Sequence, residues 1–247
     1  YDYVGIDVSG APSATSPSST GETTLTHGNT AQTVIYKYKR KDAGDVIVHH
    51  YEQGTTTQLV PDMTLPGTGK LGLPYTTTTQ PILNFTVVTV PSNQNGTYQS
   101  GNQVVTYYYK RNNAGNITVH HYEVGQSTEL YKPTGAAAPS AEVFDGTGKL
   151  GLSETFVNRE ADIDNYEYVS VDTSGAPGLT ATGGSGQTNV IYQTGAQTVI
   201  YRYRRKNAAN ITVHHYEDGT TNELYSPTGG TPSAVTISGT GKLGLPE

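Results

Sequence analysis

Alternation is the clearest signal along the chain. In Ile211-Thr212-Val213-His214-His215-Tyr216, residues Ile211, Val213 and His215 fall on one face of an extended strand, and Thr212, His214 and Tyr216 on the other. In Thr198-Val199-Ile200-Tyr201-Arg202-Tyr203-Arg204-Arg205, Val199, Tyr201 and Tyr203 share a face, while Arg202 and Arg204 share the opposite one. This period of two predicts strands with one packed side and one wet side. Residues 166–172 read as a further strand. Glu217-Asp218-Gly219 and Gly239-Thr240-Gly241 read as turns, and residues 9–24 and 175–186 as long loops. The one hint of helix is residues 153–162. Ser153 stands at a possible cap, but Phe156 occupies the position where a capping box needs Glu or Gln. At most one short helix per unit is expected.

The strands recur. Val46-Ile47-Val48-His49-His50-Tyr51-Glu52 returns as Ile117-Thr118-Val119-His120-His121-Tyr122-Glu123 and as Ile211-Thr212-Val213-His214-His215-Tyr216-Glu217. Gly-Thr-Gly-Lys-Leu-Gly-Leu begins at Gly67, Gly146 and Gly239, and a Tyr- and Arg-rich strand precedes each His-His segment. His49 and His120 are 71 residues apart, and His120 and His214 are 94 apart. The opening Tyr1-Asp2-Tyr3-Val4 matches Tyr166-Glu167-Tyr168-Val169 at 165, the sum of the two. The expected division is therefore a C-terminal part-repeat at 1–40, whole repeats at 41–111 and 112–206, and an N-terminal part-repeat at 207–247. Units this long exceed a solenoid repeat of about 20–50 residues, so small domains in a row are expected. The part-repeats at the two ends are complementary, which points to self-association through them or to excerpts of a longer polymer.

Composition narrows the class. Hydrophobic residues make up 34% of the 247, which suits several small modules better than one deep core. The net charge is −6 with no basic block, so nucleic acid is excluded as a partner. No apolar run approaches the roughly 20 residues of a membrane span. Cysteine is absent, which removes disulfides and thiol catalysis.

The order of the signatures carries a resemblance. The pattern is an Ile-Thr-Val-His strand with an acidic Gly turn and Glu-Leu (residues 211–224), then Gly-Lys-Leu-Gly-Leu (148–152), Ile-x-x-Tyr-Glu-Tyr-Val (163–171) and Gln-Thr-Val-Ile-Tyr-x-Tyr (197–203). It resembles the MucBP (mucin-binding protein) repeat of Gram-positive surface adhesins, across essentially the whole chain. The resemblance implies a mainly β fold, a β-rich α+β type of tandem, elongated β-grasp or ubiquitin-like modules in a linear array. It also implies export to the cell surface or cell wall, and mucin or other glycans as partners. The doubled His and the shorter first repeat depart from the family pattern.

Candidate chemistry is sparse, and no catalytic residue is singled out. Adjacent His in a strand point to opposite faces, so one pair cannot grip one metal ion. Gly-Thr-Gly-Lys lacks the spacing and the Ser or Thr of a phosphate loop. Glu160, Asp162 and Asp164 supply only a start toward the six to eight oxygens a calcium ion takes. No metal and no cofactor are expected. Asn84, Asn95, Asn116 and Asn210 head Asn-x-Thr sequons. The recognition candidates are Tyr36, Tyr38, Tyr107, Tyr109, Tyr201 and Tyr203, which recur on one strand face. Their rings either stack on sugars or form the core. Two readings remain: a multivalent glycan-binding adhesin segment, or a structural stalk or self-assembling fibre whose repeats act as spacers.

Overall fold

The structure is a computed structural model that describes every residue except Thr228, and at Ala181 the backbone alone. It divides into two compact units, Tyr1–Arg111 and Asn112–Glu247. The described residues are nearly all strand and loop, in the mainly β class expected, with a single 3-10 turn at Glu160–Asp162.

The centre of each whole repeat is a parallel pair of strands. In the second unit Ile117–Glu123 pairs in parallel with Gln197–Arg205, from Ile117 opposite Gln197 to Glu123 opposite Tyr203. Glu142–Phe144 and Tyr166–Asp172 flank this pair antiparallel on either side. The first unit repeats the plan. Val46–Glu52 lies parallel to Gln103–Arg111, between Met63–Leu65 and Phe85–Thr89. Parallel neighbours need a long crossover. Here it runs through the flanking strands and a second small sheet instead of a helix. That sheet is Ser153–Phe156, Thr188–Ile191 and Leu179–Thr182 in the second unit, and Pro74–Thr76 with Asn95–Thr97 in the first.

The period of two becomes the core. Ile117, Val119, Val199, Tyr201 and Tyr203 are buried, and Phe156, Val190 and Tyr192 of the small sheet pack on them. Val46, Val48, Val105, Tyr107 and Tyr109 take the same places in the first unit, against Tyr75 and Tyr98. Hydroxyl pairs tie the two layers, Thr188 Oγ1 to Tyr201 Oη at 3.0 Å and Thr77 Oγ1 to Tyr107 Oη at 2.8 Å. Burial raises the Tyr201 phenol to about 12, against the opposing effect of the Thr188 hydrogen bond.

Two local expectations change. Residues 153–156 form a strand, because Phe156 is buried in edge contact with Phe144 and the segment pairs with Thr188–Ile191. Only Glu160–Asp162 turns helically. The loop expected at 175–186 contains the strand Leu179–Thr182, which pairs with the same partner.

Three backbone segments converge at the start of each parallel pair, and glycine makes the approach possible. A Cβ on Gly115 would meet the carbonyl carbon of Gly195 at 2.3 Å, and one on Gly146 the carbonyl oxygen of Ala114 at 2.5 Å. Side-chain amides hold the Gly-Thr-Gly turn in place. Asn116 Oδ1 accepts from Gly146 N at 3.1 Å, and Asn113 Oδ1 accepts from Gly148 N at 3.0 Å. Asp45 and Asp42 serve Gly67 and Gly69 in the same way, and Asn210 and Asn207 serve Gly239 and Gly241. The sequon asparagines 116 and 210 therefore have a structural task.

The last arginine of a Tyr-rich strand reaches into the following repeat. Arg205 lies over the Tyr166 ring at 4.6 Å. Its Nη2 donates to Tyr166 Oη at 2.9 Å and its Nη1 to the Leu243 carbonyl at 2.9 Å. Arg40 makes the same joint with Tyr1 and the Leu71 carbonyl. Beside it, Leu71 N and Leu243 N donate to the carbonyls of Lys41 and Lys206. A planar guanidinium suits this combination of stacking and two directed donors.

Two tests follow from this packing. Gly115→Ala forces a methyl against fixed backbone and should lower stability by about 3 kcal/mol, the upper part of the range for overpacking, measured by urea unfolding. Arg205→Ala should leave residues 112–204 folded while nitrogen-15 relaxation shows residues 207–247 tumbling more freely. Unchanged relaxation would show that the arginine does not hold the joint.

Candidate functional site

The strand register splits the His-His pairs of Val46–Glu52 and Ile117–Glu123. His50 and His121 are fully buried. Each stacks on the tyrosine opposite it in the parallel partner: His50 on Tyr107 and His121 on Tyr201, both with ring centroids 5.3 Å apart. Each also bonds through Nδ1 to the next core tyrosine, His50 to Tyr109 Oη at 3.0 Å and His121 to Tyr203 Oη at 2.9 Å.

The second ring nitrogen separates the repeats. His121 Nε2 lies 3.2 Å from Glu142 Oε2, and Arg159 Nη2 donates to the same carboxylate at 2.9 Å. A carboxylate only accepts, so the Nε2–H tautomer follows, with Tyr203 donating to Nδ1. In the first unit Met63 holds the position of Glu142, and His50 Nε2 is buried without a partner. Burial lowers the proton affinity of both imidazoles. For His121 the Glu142 carboxylate opposes that effect by hydrogen bond and charge.

The other histidine of each pair lies on the outer face with a tyrosine two residues on. His49 and Tyr51 stack at 5.3 Å, His120 and Tyr122 at 4.9 Å, and His214 and Tyr216 at 4.9 Å. A carboxylate fixes each imidazole through Nδ1: Asp62 at 2.6 Å, Glu129 at 2.5 Å, and Glu223 in the third copy. The His214 bond in turn holds the Glu223 carboxyl below the usual range. The result, repeated three times, is an aromatic ledge with a charged rim on an open sheet face. Such a surface offers ring faces for stacking and polar atoms for hydroxyl groups.

The six tyrosines named from the sequence separate into two groups. Tyr107, Tyr109, Tyr201 and Tyr203 are core residues of the whole repeats, at most 2% exposed. Tyr36 and Tyr38 are 46% and 58% exposed. Their strand, Thr33–Lys39, pairs with Asp2–Gly10 and has no parallel neighbour among the described residues. The outward Tyr51, Tyr108, Tyr122 and Tyr216 were missed. The signal was available for Tyr51, Tyr108 and Tyr122, since each stands one position after a buried residue on an alternating strand. Glu160 serves the fold, accepting from Tyr168 N and pairing with Lys206. Among the described residues no group of three or more His, Cys, Asp or Glu is placed to hold a metal. Lys149 is engaged by Tyr192 Oη at 3.2 Å and Glu154 at 3.4 Å, which raises its proton affinity.

Fold and surface together define a class: tandem small β modules with one outer ledge per repeat. The chain matches the MucBP domain over residues 45–110 and again over 117–204. These matches cover more than half of it, and the chain belongs to the MucBP family. It is similar to internalin J of Listeria monocytogenes serotype 4b, 29% identical over 88% of this chain and 20% of that protein. Internalin J of serovar 1/2a is 32% identical over 72% of this chain and 18% of its own length. The chain thus spans about a fifth of these relatives. Among solved structures, SHIRT domains 3-4 from a cell surface protein align over 67% of this chain and 99% of that one, with 12% identity and a TM-score of 0.29. The Bacillus anthracis TIE protein aligns over 89% of this chain and 46% of that one, with 11% identity and a TM-score of 0.40.

The buried histidines give a pH prediction. A folded-state proton affinity below the ordinary 6.5 means that the unfolded chain binds more protons as pH falls. Stability is then complete above pH 6.5 and is lost below it, by up to about 1.4 kcal/mol per pH unit for each histidine. Residues 41–111 should lose protection first in amide hydrogen exchange, because protonated His50 finds no acceptor at Nε2. Met63→Glu, which supplies the carboxylate of the second unit, should reduce the difference. Equal acid sensitivity of the two units would contradict the assignment.

Proposed function

We propose that this chain is a non-enzymatic segment of an extracellular, cell-surface or wall-associated adhesin of a Gram-positive bacterium. Its repeats bind mucin-type or other host glycans through many weak sites. The carrying observation is the outer ledge, a stacked His-Tyr pair that recurs in three copies with its imidazole held by a carboxylate, Asp62 in the first and Glu129 and Glu223 in the other two. The family match supports this reading, and the listerial relatives are consistent with it. Linked copies of a weak site raise overall avidity by about 10²–10⁴ without new contacts. No helix among the described residues is long and apolar enough to cross a membrane.

The second reading is a spacer. The Arg40 and Arg205 joints favour it, since they fasten successive repeats through a stacked guanidinium and two directed hydrogen bonds. The open edge of Thr33–Lys39, with Tyr36 and Tyr38 exposed, is the place where a stalk of this kind would self-associate by strand addition. Binding and spacing are compatible, because each repeat carries its own ledge.

The test is retention of the chain on immobilised mucin, with and without enzymatic removal of its O-glycans. The adhesin reading expects retention that falls at least tenfold after deglycosylation. Absence of retention, together with concentration-dependent filaments in light scattering, would leave the spacer reading alone.

A further inference from the structure

The outer ledges of the two whole repeats differ at two register positions: Gln58 is bridged to Tyr51 where Glu129 is bridged to Tyr122, and the parallel neighbour places a different residue opposite each of these tyrosines. In the first unit Tyr51 stands opposite Tyr108 on the parallel neighbour, and Tyr108 is 42% exposed. With His49 stacked on Tyr51, three aromatic residues share one patch of open sheet. In the second unit the residue opposite Tyr122 is Arg202. Its guanidinium lies over the Tyr122 ring at 5.4 Å, and its Nη1 donates to the Gln126 carbonyl at 2.7 Å. A planar group of the chain itself thus occupies the ring face that stays bare in the first unit.

The rim of the first ledge is chemically specific. Asp62 Oδ1 accepts from Gln58 Nε2 at 2.9 Å and bonds His49 Nδ1 at 2.6 Å. Asp62 Oδ2, Gln58 Oε1 and His49 Nε2 have no protein partner among the described residues. Tyr51 and Gln58 are bridged across the turn, so these atoms sit at the edge of the aromatic patch. A shallow groove of about 380 Å³, lined by Gln58, Leu59, Val60, Pro61 and Asp62, continues from the rim.

We propose that the first whole repeat carries an open subsite for a neutral hexopyranose, and that the copy in the second repeat is closed by Arg202. The proposal rests on the adhesin reading above and deepens it. The C–H face of the sugar stacks on Tyr51 and Tyr108. Its hydroxyls donate to Asp62 Oδ2 and exchange hydrogen bonds with Gln58 and His49. The groove beside Asp62 takes the next sugar of an oligosaccharide. The Asp62 carboxylate contacts His49 and Gln58 and, among the described residues, no arginine or lysine, so a sugar acid gains nothing there and meets like charge.

The test is an NMR titration of the full chain with N-acetyllactosamine and with its sialylated form. The expected result is one site per chain, with shifts centred on Tyr51, Tyr108 and Asp62, and at least fivefold weaker binding of the sialylated sugar at that site. Tyr108→Arg installs the residue that the second repeat carries at this register, so the fold is preserved, and it should weaken binding at least tenfold. Unchanged affinity in Tyr108→Arg, with the chain still bound to mucin, overturns the subsite and leaves the adhesin reading standing. Preference for the sialylated sugar overturns the neutral-sugar assignment. Failure to bind either sugar or mucin overturns the subsite and the adhesin reading together.

Discussion

The parallel pairing of the His-His strand with the Tyr-rich strand is the constraint on which each repeat depends. It brings together residues separated by more than eighty positions in the second unit, as in the bond between His121 and Tyr203. The register sets one imidazole against a core tyrosine at 5.3 Å in both units, with the rings within 10° of parallel. The stack and the hydroxyl bonds around it let a module low in aliphatic residues close a core without disulfides. A shift of one residue would exchange inner and outer faces. It would bury the polar His120 and Tyr122 and expose His121.

That division also assigns the work. The inner histidine and its tyrosines hold the module. The outer histidine and its tyrosine, fixed by a carboxylate, face solvent. The inner set keeps the same stacking in both whole repeats, while the outer set changes between them, with Tyr108 in one and Arg202 in the other. The Arg40 and Arg205 joints then connect a module to its successor through backbone carbonyls in the Gly-Thr-Gly-Lys-Leu turn. One segment near Leu71 or Leu243 therefore serves packing within a repeat and attachment between repeats.

Much of this was legible in the sequence. Alternation put the two histidines of a pair on opposite faces, as His50 and His121 show by their burial, and the recurring signatures showed that one module is repeated. What stayed hidden depended on contacts distant along the chain. Arg205 reads as one more charged strand residue until the Leu243 carbonyl is brought to it. The Gly-Thr-Gly turn reads as punctuation until Ala114 and Gly115 arrive against it. Residues 153–156 look like a helix start because Ser153 resembles a cap, and only the pairing with Thr188–Ile191 makes them a strand. The Tyr-rich face was weighed as both core and recognition surface, since alternation shows that a face is apolar without showing what covers it. The difference between Tyr108 and Arg202 is visible at an offset of 94, but its meaning needs the neighbouring strand.

The central claim is that one register divides the tyrosines of each repeat into a closed core and a working surface. Nitration of the folded chain, read by mass spectrometry with and without mucin, tests it most directly. The account predicts modification at Tyr108 and Tyr216, none at Tyr107, Tyr109, Tyr201 or Tyr203, and protection of Tyr108 when mucin is present. Modification of the four core tyrosines in the folded chain, or labelling of Tyr108 that mucin leaves unchanged, would contradict it.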